Sequence, residues 1–166
     1  SGLMIIHQQR AHERILYEQF LNLGENQANC QQLLFPQTVE LSTADMTLVE
    51  GMKEEVQQLG FVWEKMCSNK IAIQGIPADG TQENAQYLFE DLLEKYKNNA
   101  KVEASNSDKL ARALAKSMSI KHGHNLSITE MNRLIDDLFS CGMPNATASG
   151  LSTLITLSLE EIAEKF

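Results

Sequence analysis

The sequence predicts an α+β fold of two lobes, and three features of the 166-residue chain predict it. Short apolar or alternating runs are interleaved with segments whose apolar residues recur every three or four positions, so strands and helices mix along the chain. Residues 37–97 read as a strand–helix–hairpin–helix unit. Further strands and helices lie on both sides of that unit. The expectation is an inserted lobe over residues 31–104, carried by a second lobe built from residues 1–30 and 105–166.

The first element is the apolar run Leu3-Met4-Ile5-Ile6, a short buried strand by composition. Ile15, Leu16, Phe20 and Leu23 share one face of a helix that Gly24 can stop. Residues 25–29 are polar and read as a loop. Pro36 lacks a ladder donor and marks a strand start or an edge strand, after which Val39 and Leu41 alternate as in a half-buried strand. Ser42 with Asp45 resembles a capping box before one helix carrying Val49, Met52, Val56 and Leu59, closed at Gly60. Phe61-Val62-Trp63 and residues 70–73 form a hairpin around Ser68-Asn69, and residues 76–80 form a turn. A helix follows over about residues 81–97, then a polar, mobile connection to residue 107. Leu110, Ala113 and Leu114 open a helix that ends near Gly123. Ser127 with Glu130 caps the next, whose apolar stripe is Met131, Leu134, Ile135 and Leu138. Residues 153–157 form a strand, and Ser158 with Glu161 caps a short final helix bearing Leu159, Ile162 and Phe166.

Composition narrows the function classes. An apolar fraction of 43% and a charged fraction of 22% are ordinary for a globular protein. No apolar run reaches the roughly 20 residues of a membrane span, and no secretory signal opens the chain. Its first residues read as the middle of a fold, as in a piece cut from a longer protein. Cys30, Cys67 and Cys141 are few, odd in number and far apart, which fits free thiols in a reducing, cytoplasmic compartment. The net charge of -8 argues against a dedicated nucleic-acid binder, which needs concentrated Lys and Arg. Gly-x-Ser-x-Gly and phosphate-binding glycine loops are both missing from the sequence.

The specific stretch is His7-Gln8-Gln9-Arg10-Ala11-His12-Glu13-Arg14-Ile15-Leu16-Tyr17-Glu18. It resembles the segment Asp-Gln-His-Ala-x-x-Glu-x-x-x-x-Glu of the MutL family of DNA mismatch-repair proteins, with Gln8, Glu13 and Glu18 matching. Residues 31–36 and 75–79, Leu110-Ala111, Ile120-Lys121 and Leu126-Ser127 with Glu130 match in the same order. The resemblance therefore runs along nearly the whole chain. In nuclease-competent relatives a carboxylate, histidines and cysteines hold metal ions beside this helix. Here His7 stands for the family's Asp, Gln9 for its His and Lys116 for its Cys, and residues 147–152 replace Cys-Pro-His-Gly-Arg-Pro. Of the expected ligands Glu13 alone remains, and a lysine is electrostatically hostile to a divalent ion. The resemblance thus implies a dimerisation region with a degenerate nuclease motif, no catalytic residues, no metal and no cofactor.

The resemblance also implies partners. The end-built lobe would form a homodimer, with apolar residues such as Leu154, Ile155 and Leu157 at its surface, and the inserted lobe would regulate. Gln31-Gln32-Leu33-Leu34-Phe35-Pro36 resembles the family's motif for the replication sliding clamp: Leu34 and Phe35 would fill a partner pocket, with Gln31, Leu33 and Pro36 beside them. Residues 33–35 read equally as core residues of a strand. Lys109, Arg112 and Lys116 make a basic helix stripe, either a weak contact for DNA backbone or a solvated face. Other mismatch-repair proteins, and DNA through the full-length protein with its N-terminal ATPase, complete the implied set; no membrane is involved. The competing reading is a divergent endonuclease that rebuilt a metal site from His7, His12 and Glu13.

Overall fold

A computed structural model describes residues 2–23, 28–78 and 84–166. The expected stop at Gly24, most of the loop at 25–29, and the Asp79-Gly80 and 81–83 portions of the expected turn and helix lie outside these residues. Helices and strands mix, as an α+β fold requires. The chain divides into two compact units, one of residues 1–18 and 119–166, the other of residues 19–118. Residues 19–30 and 105–118, assigned with the chain ends on the sequence pattern, group with the inner unit.

In the first unit, β1 (Gly2–Ile6) pairs antiparallel with β5 (Leu154–Ser158), in the register Ile5 opposite Ile155 and Ile6 opposite Leu154. The helices here are the start of α1 (Gln8–Leu21), α6 (Ile128–Ser140) and α7 (Leu159–Ala163). Ala11, Ile15, Leu134 and Leu138 form the core, with Ile6, Ile120, Leu126, Cys141 and Leu154 packed against it. Both capping boxes read from the sequence are present: Ser127 with Glu130 starts α6, and Ser158 with Glu161 starts α7. In each, the glutamate bonds the serine amide and is held below the usual carboxylate range by that serine. Two expectations fail. Leu3, Met4 and Ile5 are about half exposed, so β1 is not a buried strand. Of the expected α6 stripe, only Leu134 and Leu138 are buried, while Met131 and Ile135 are exposed.

The second unit is a three-stranded antiparallel sheet, β2-β4-β3, made from β2 (Cys30–Glu40), β3 (Val62–Cys67) and β4 (Lys70–Pro77). Its core gathers Val39, Trp63, Ile71 and Ile73 from the sheet with Phe61, Phe89, Leu92, Leu110 and Leu114. The Phe61 and Phe89 rings meet edge to face at 5.5 Å. Ile76 and Pro77 extend β4 rather than beginning a turn. The single helix expected before Gly60 is two, α2 (Thr43–Gly51) and α3 (Lys53–Gln58). Met52 breaks the helical geometry at φ -118° and ψ 24°, directly after a glycine that costs a helix roughly 1 kcal/mol against alanine. Ser42 Oγ accepts the Asp45 amide at 3.1 Å, and the Asp45 carboxylate pairs with Lys97. Helix α4 (Ala85–Asn98) is capped by Asn84, and α5 (Asn106–Met118) stops five residues short of Gly123. Just beyond that stop, the Ile120 amide donates to the His12 ring instead of a helix carbonyl. The 99–105 connection carries its own turns, with Val102 N–H bonded to Asn99 and Ala104 N–H to Val102.

Candidate functional site

Five polar side chains of the motif segment, His7, Gln8, Arg10, His12 and Glu18, bond backbone groups of the same unit. The His7 amide donates to the Thr153 carbonyl at 2.8 Å, and its Nδ1 accepts the Arg10 amide at 3.4 Å, so His7 caps α1. Gln8 Nε2 donates to the His124 carbonyl, and Arg10 Nη1 to the Ser152 carbonyl at 3.0 Å. His12 Nδ1 accepts the Ile120 amide at 3.0 Å, which occupies the lone pair that a metal would need at that nitrogen. Glu18 accepts the amides of Gly142 and Met143 at 2.7 and 3.1 Å, and pairs with Arg14 at 2.7 Å. Burial would push the Glu18 carboxyl up; those amides and the Arg14 guanidinium outweigh it and hold the group below its ordinary value. Gln9 and Glu13 are half-buried on the same helix. Lys116 is exposed on α5, in the other unit.

The segment that stands for the family's Cys-Pro-His closes on itself. The Thr147 amide donates to the Leu151 carbonyl at 2.8 Å, Thr147 Oγ1 accepts the Leu151 amide, and Gly150 takes the left-handed φ of +85° that such a turn needs. Buried Thr153 donates its hydroxyl to the Pro144 carbonyl. Among the described residues no three His, Cys, Asp or Glu side chains gather in a metal-holding group.

Residues 33–36 leave the β2–β4 ladder. Gln32 opposes Gly75 and Gln37 opposes Ile73, so the chain between them bulges outward. Leu33 turns back onto the core of the second unit. Leu34 and Phe35 stand 93% and 82% exposed, so the core-strand reading holds for Leu33 and fails for its two neighbours. Pro36 is exposed and Gln31 half-buried in the ladder. In the basic stripe, Arg112 is paired with Asp108 at 2.6 Å and Lys109 is half-buried, which leaves a poorer cationic face than the spacing suggested.

A third feature was only half legible. Side chains alternate across the β1–β5 pair, so Ile6 and Leu154 face the core while Leu3, Ile5, Ile155 and Leu157 share the opposite face. Leu3, Ile5 and Ile155 there are 45–51% exposed. Helix α6 shows a second apolar line beside its buried one: Ile128, Met131, Ile135 and Phe139 are all exposed. Met4, Ile6, Leu126, Met131, Leu134 and Ile135 line an open groove in this unit. A strand pair with an exposed apolar face of this kind has the character of an association surface. Apolar periodicity in the sequence shows that these residues avoid water but not what covers them.

Comparison with known proteins agrees with this geometry. Residues 1–126 match the family model described as MutL C terminal dimerisation domain. The whole chain aligns with the DNA mismatch repair protein MutL of Flavobacterium johnsoniae at 39% identity, covering 26% of that protein. It aligns with that of Flavobacterium psychrophilum at 38% and of Pelodictyon phaeoclathratiforme at 36%, in each case covering 27% of the relative. The chain thus spans about a quarter of the length of these relatives. No helix among the described residues is long and apolar enough to cross a membrane. With the family model and the relatives in accord, the chain belongs to the MutL C-terminal dimerisation domain family.

Proposed function

We propose that this region joins two copies of a mismatch-repair protein and docks them to the replication clamp, without nicking DNA itself. The observation that carries the reading is the uncovered apolar face of β1–β5, together with the exposed apolar line Ile128, Met131, Ile135 and Phe139 of α6. Pairing with a second copy through one self-complementary patch would remove that surface from water. The end-built unit is then the dimerisation element and the inner unit the regulatory one. In the longer protein, an N-terminal ATPase could close around DNA once its C-terminal regions are joined. Light scattering after size exclusion tests the dimer: twice the chain mass at micromolar concentration is expected, and a strict monomer refutes it.

The clamp contact rests on the Leu34–Phe35 projection. Two large apolar side chains held in water by a bulge suit an apolar pocket on a partner. Replacing both with Ala should abolish clamp binding and leave the fold intact; unchanged affinity ends this reading. The loss of nicking rests on donor chemistry, because amide, ammonium and hydroxyl groups stand where imidazole and thiolate are needed, and His7 stands where the carboxylate is needed. Robust nicking of supercoiled plasmid with manganese by the pure chain would overturn it.

A further inference from the structure

We propose that Gln37 is a positioning residue for the clamp contact, holding the Leu34–Phe35 bulge in its binding-ready shape from the N-terminus of α4. The inference rests on the clamp reading above and adds to it a residue outside the 31–36 motif. A bulge of this kind is normally loose, because its amides leave the ladder and its exposed side chains gain nothing from their own fold. Here both of its ends are tied. At the front, Leu33 packs on the core of the second unit. At the back, Gln37 Oε1 accepts the amide of Gln86 at 3.0 Å.

That second tie has a definite chemical logic. The first amides of a helix have no partner within it. In α4 the Tyr87 amide is taken by Asn84 Oδ1 at 2.9 Å, and the Gln86 amide is taken by Gln37. The bond therefore joins the residue where the β2–β4 ladder resumes to the first turn of α4, which is packed by Phe89 and Leu92 into the core. Between the anchors lie three residues, one of them Pro36 with its restricted φ. Leu34 and Phe35 are thus presented with little conformational freedom left to lose, and preorganisation of this kind raises affinity without a new contact.

The test uses the full chain with Gln37→Ala and Gln37→Glu, the latter retaining an acceptor that the helix dipole favours. Hydrogen exchange is measured on the free protein, and affinity for the purified clamp on each variant. Synthetic peptides of residues 30–38, with and without Gln37→Ala, are measured alongside. The expected result for Gln37→Ala is several-fold faster exchange at Gln86 and in the β2 residues flanking the bulge, with clamp affinity down roughly tenfold. Gln37→Glu restores both, and the two peptides bind equally, since neither has an α4 to hold. Equal loss in the peptides would mean direct contact and overturn positioning, as would unchanged exchange or failure of the Glu variant to restore. If the wild-type chain does not bind the clamp, the clamp reading itself falls; exchange still decides whether Gln37 holds the bulge.

Discussion

Glu18→Ala should be the most costly single change among the polar residues of the motif helix, although Glu18 matches a family position that would otherwise read as part of a nuclease site. Its carboxylate binds the Gly142 amide at 2.7 Å, the Met143 amide at 3.1 Å and Arg14 at 2.7 Å. The side chains of Glu18 and Arg14 are only 19% and 9% exposed, so water replaces the lost partner poorly. A hydrogen bond to a charged group contributes about 1.5–3 kcal/mol, and stripping one partner from a buried pair costs about 3–5 kcal/mol. Allowing for residual solvent access and the better helix propensity of Ala, a loss of about 2–4 kcal/mol is expected at neutral pH. Because the folded carboxyl titrates below its ordinary value of 4.5, this stabilisation is fully present above that value. It drains away as pH falls through the folded pKa. The gap between wild type and variant should therefore close in acid. Urea unfolding at several pH values, with amide exchange at Gly142 and Met143, measures both effects. A variant as stable as wild type at neutral pH, or a gap that does not shrink in acid, refutes the assignment of Glu18 to structure.

Further outcomes follow from the same geometry. Ile155→Glu, on the exposed strand face opposite Ile5, should leave the monomer folded and weaken the dimer by about 3 kcal/mol or more, seen as monomeric mass in light scattering. Gly60→Ala should destabilise the inner unit by about 1–3 kcal/mol, because φ is +97° there and an added Cβ would sit 3.2 Å from Pro77 Cα; an unchanged urea midpoint would contradict this. Leu138→Ala, fully buried in the small core of the end-built unit, should cost about 2–5 kcal/mol by urea unfolding, and so outweigh any substitution on the exposed α6 stripe in stability while affecting association less directly.

The elements set by local chemistry were legible in the sequence. Ser127 with Glu130 and Ser158 with Glu161 start helices because both bonds of a capping box are made within four residues. The hairpin at Ser68-Asn69 is equally local. What the sequence left open was set by partners distant along the chain. The recurrence of Val49, Met52, Val56 and Leu59 is compatible with one helix, but the chain leaves helical geometry at Met52, directly after Gly51, with the Met52 side chain buried in the core. Residues 33–35 form an apolar run with no internal sign of which side chain turns inward; the ladder shift between Gln32 and Gln37 decides it. The same limit applies to β1, whose composition records avoidance of water without naming the surface that supplies the cover.

That limit separates the two kinds of residue in the motif helix. A metal site needs several donors converging with free lone pairs, whereas a structural tie needs each donor or acceptor matched to one backbone group. Gln8, Arg10, His12 and Glu18 follow the second pattern, each bound to a carbonyl or amide among residues 120–152. Their targets lie in the segments that lead into and out of α6, and in the turn before β5. Side-chain bonds from α1 therefore fix the elements that display the outer apolar stripe and strand face. On this view the polar residues of the motif helix serve association indirectly: they hold rigid the surface on which a second copy is proposed to close.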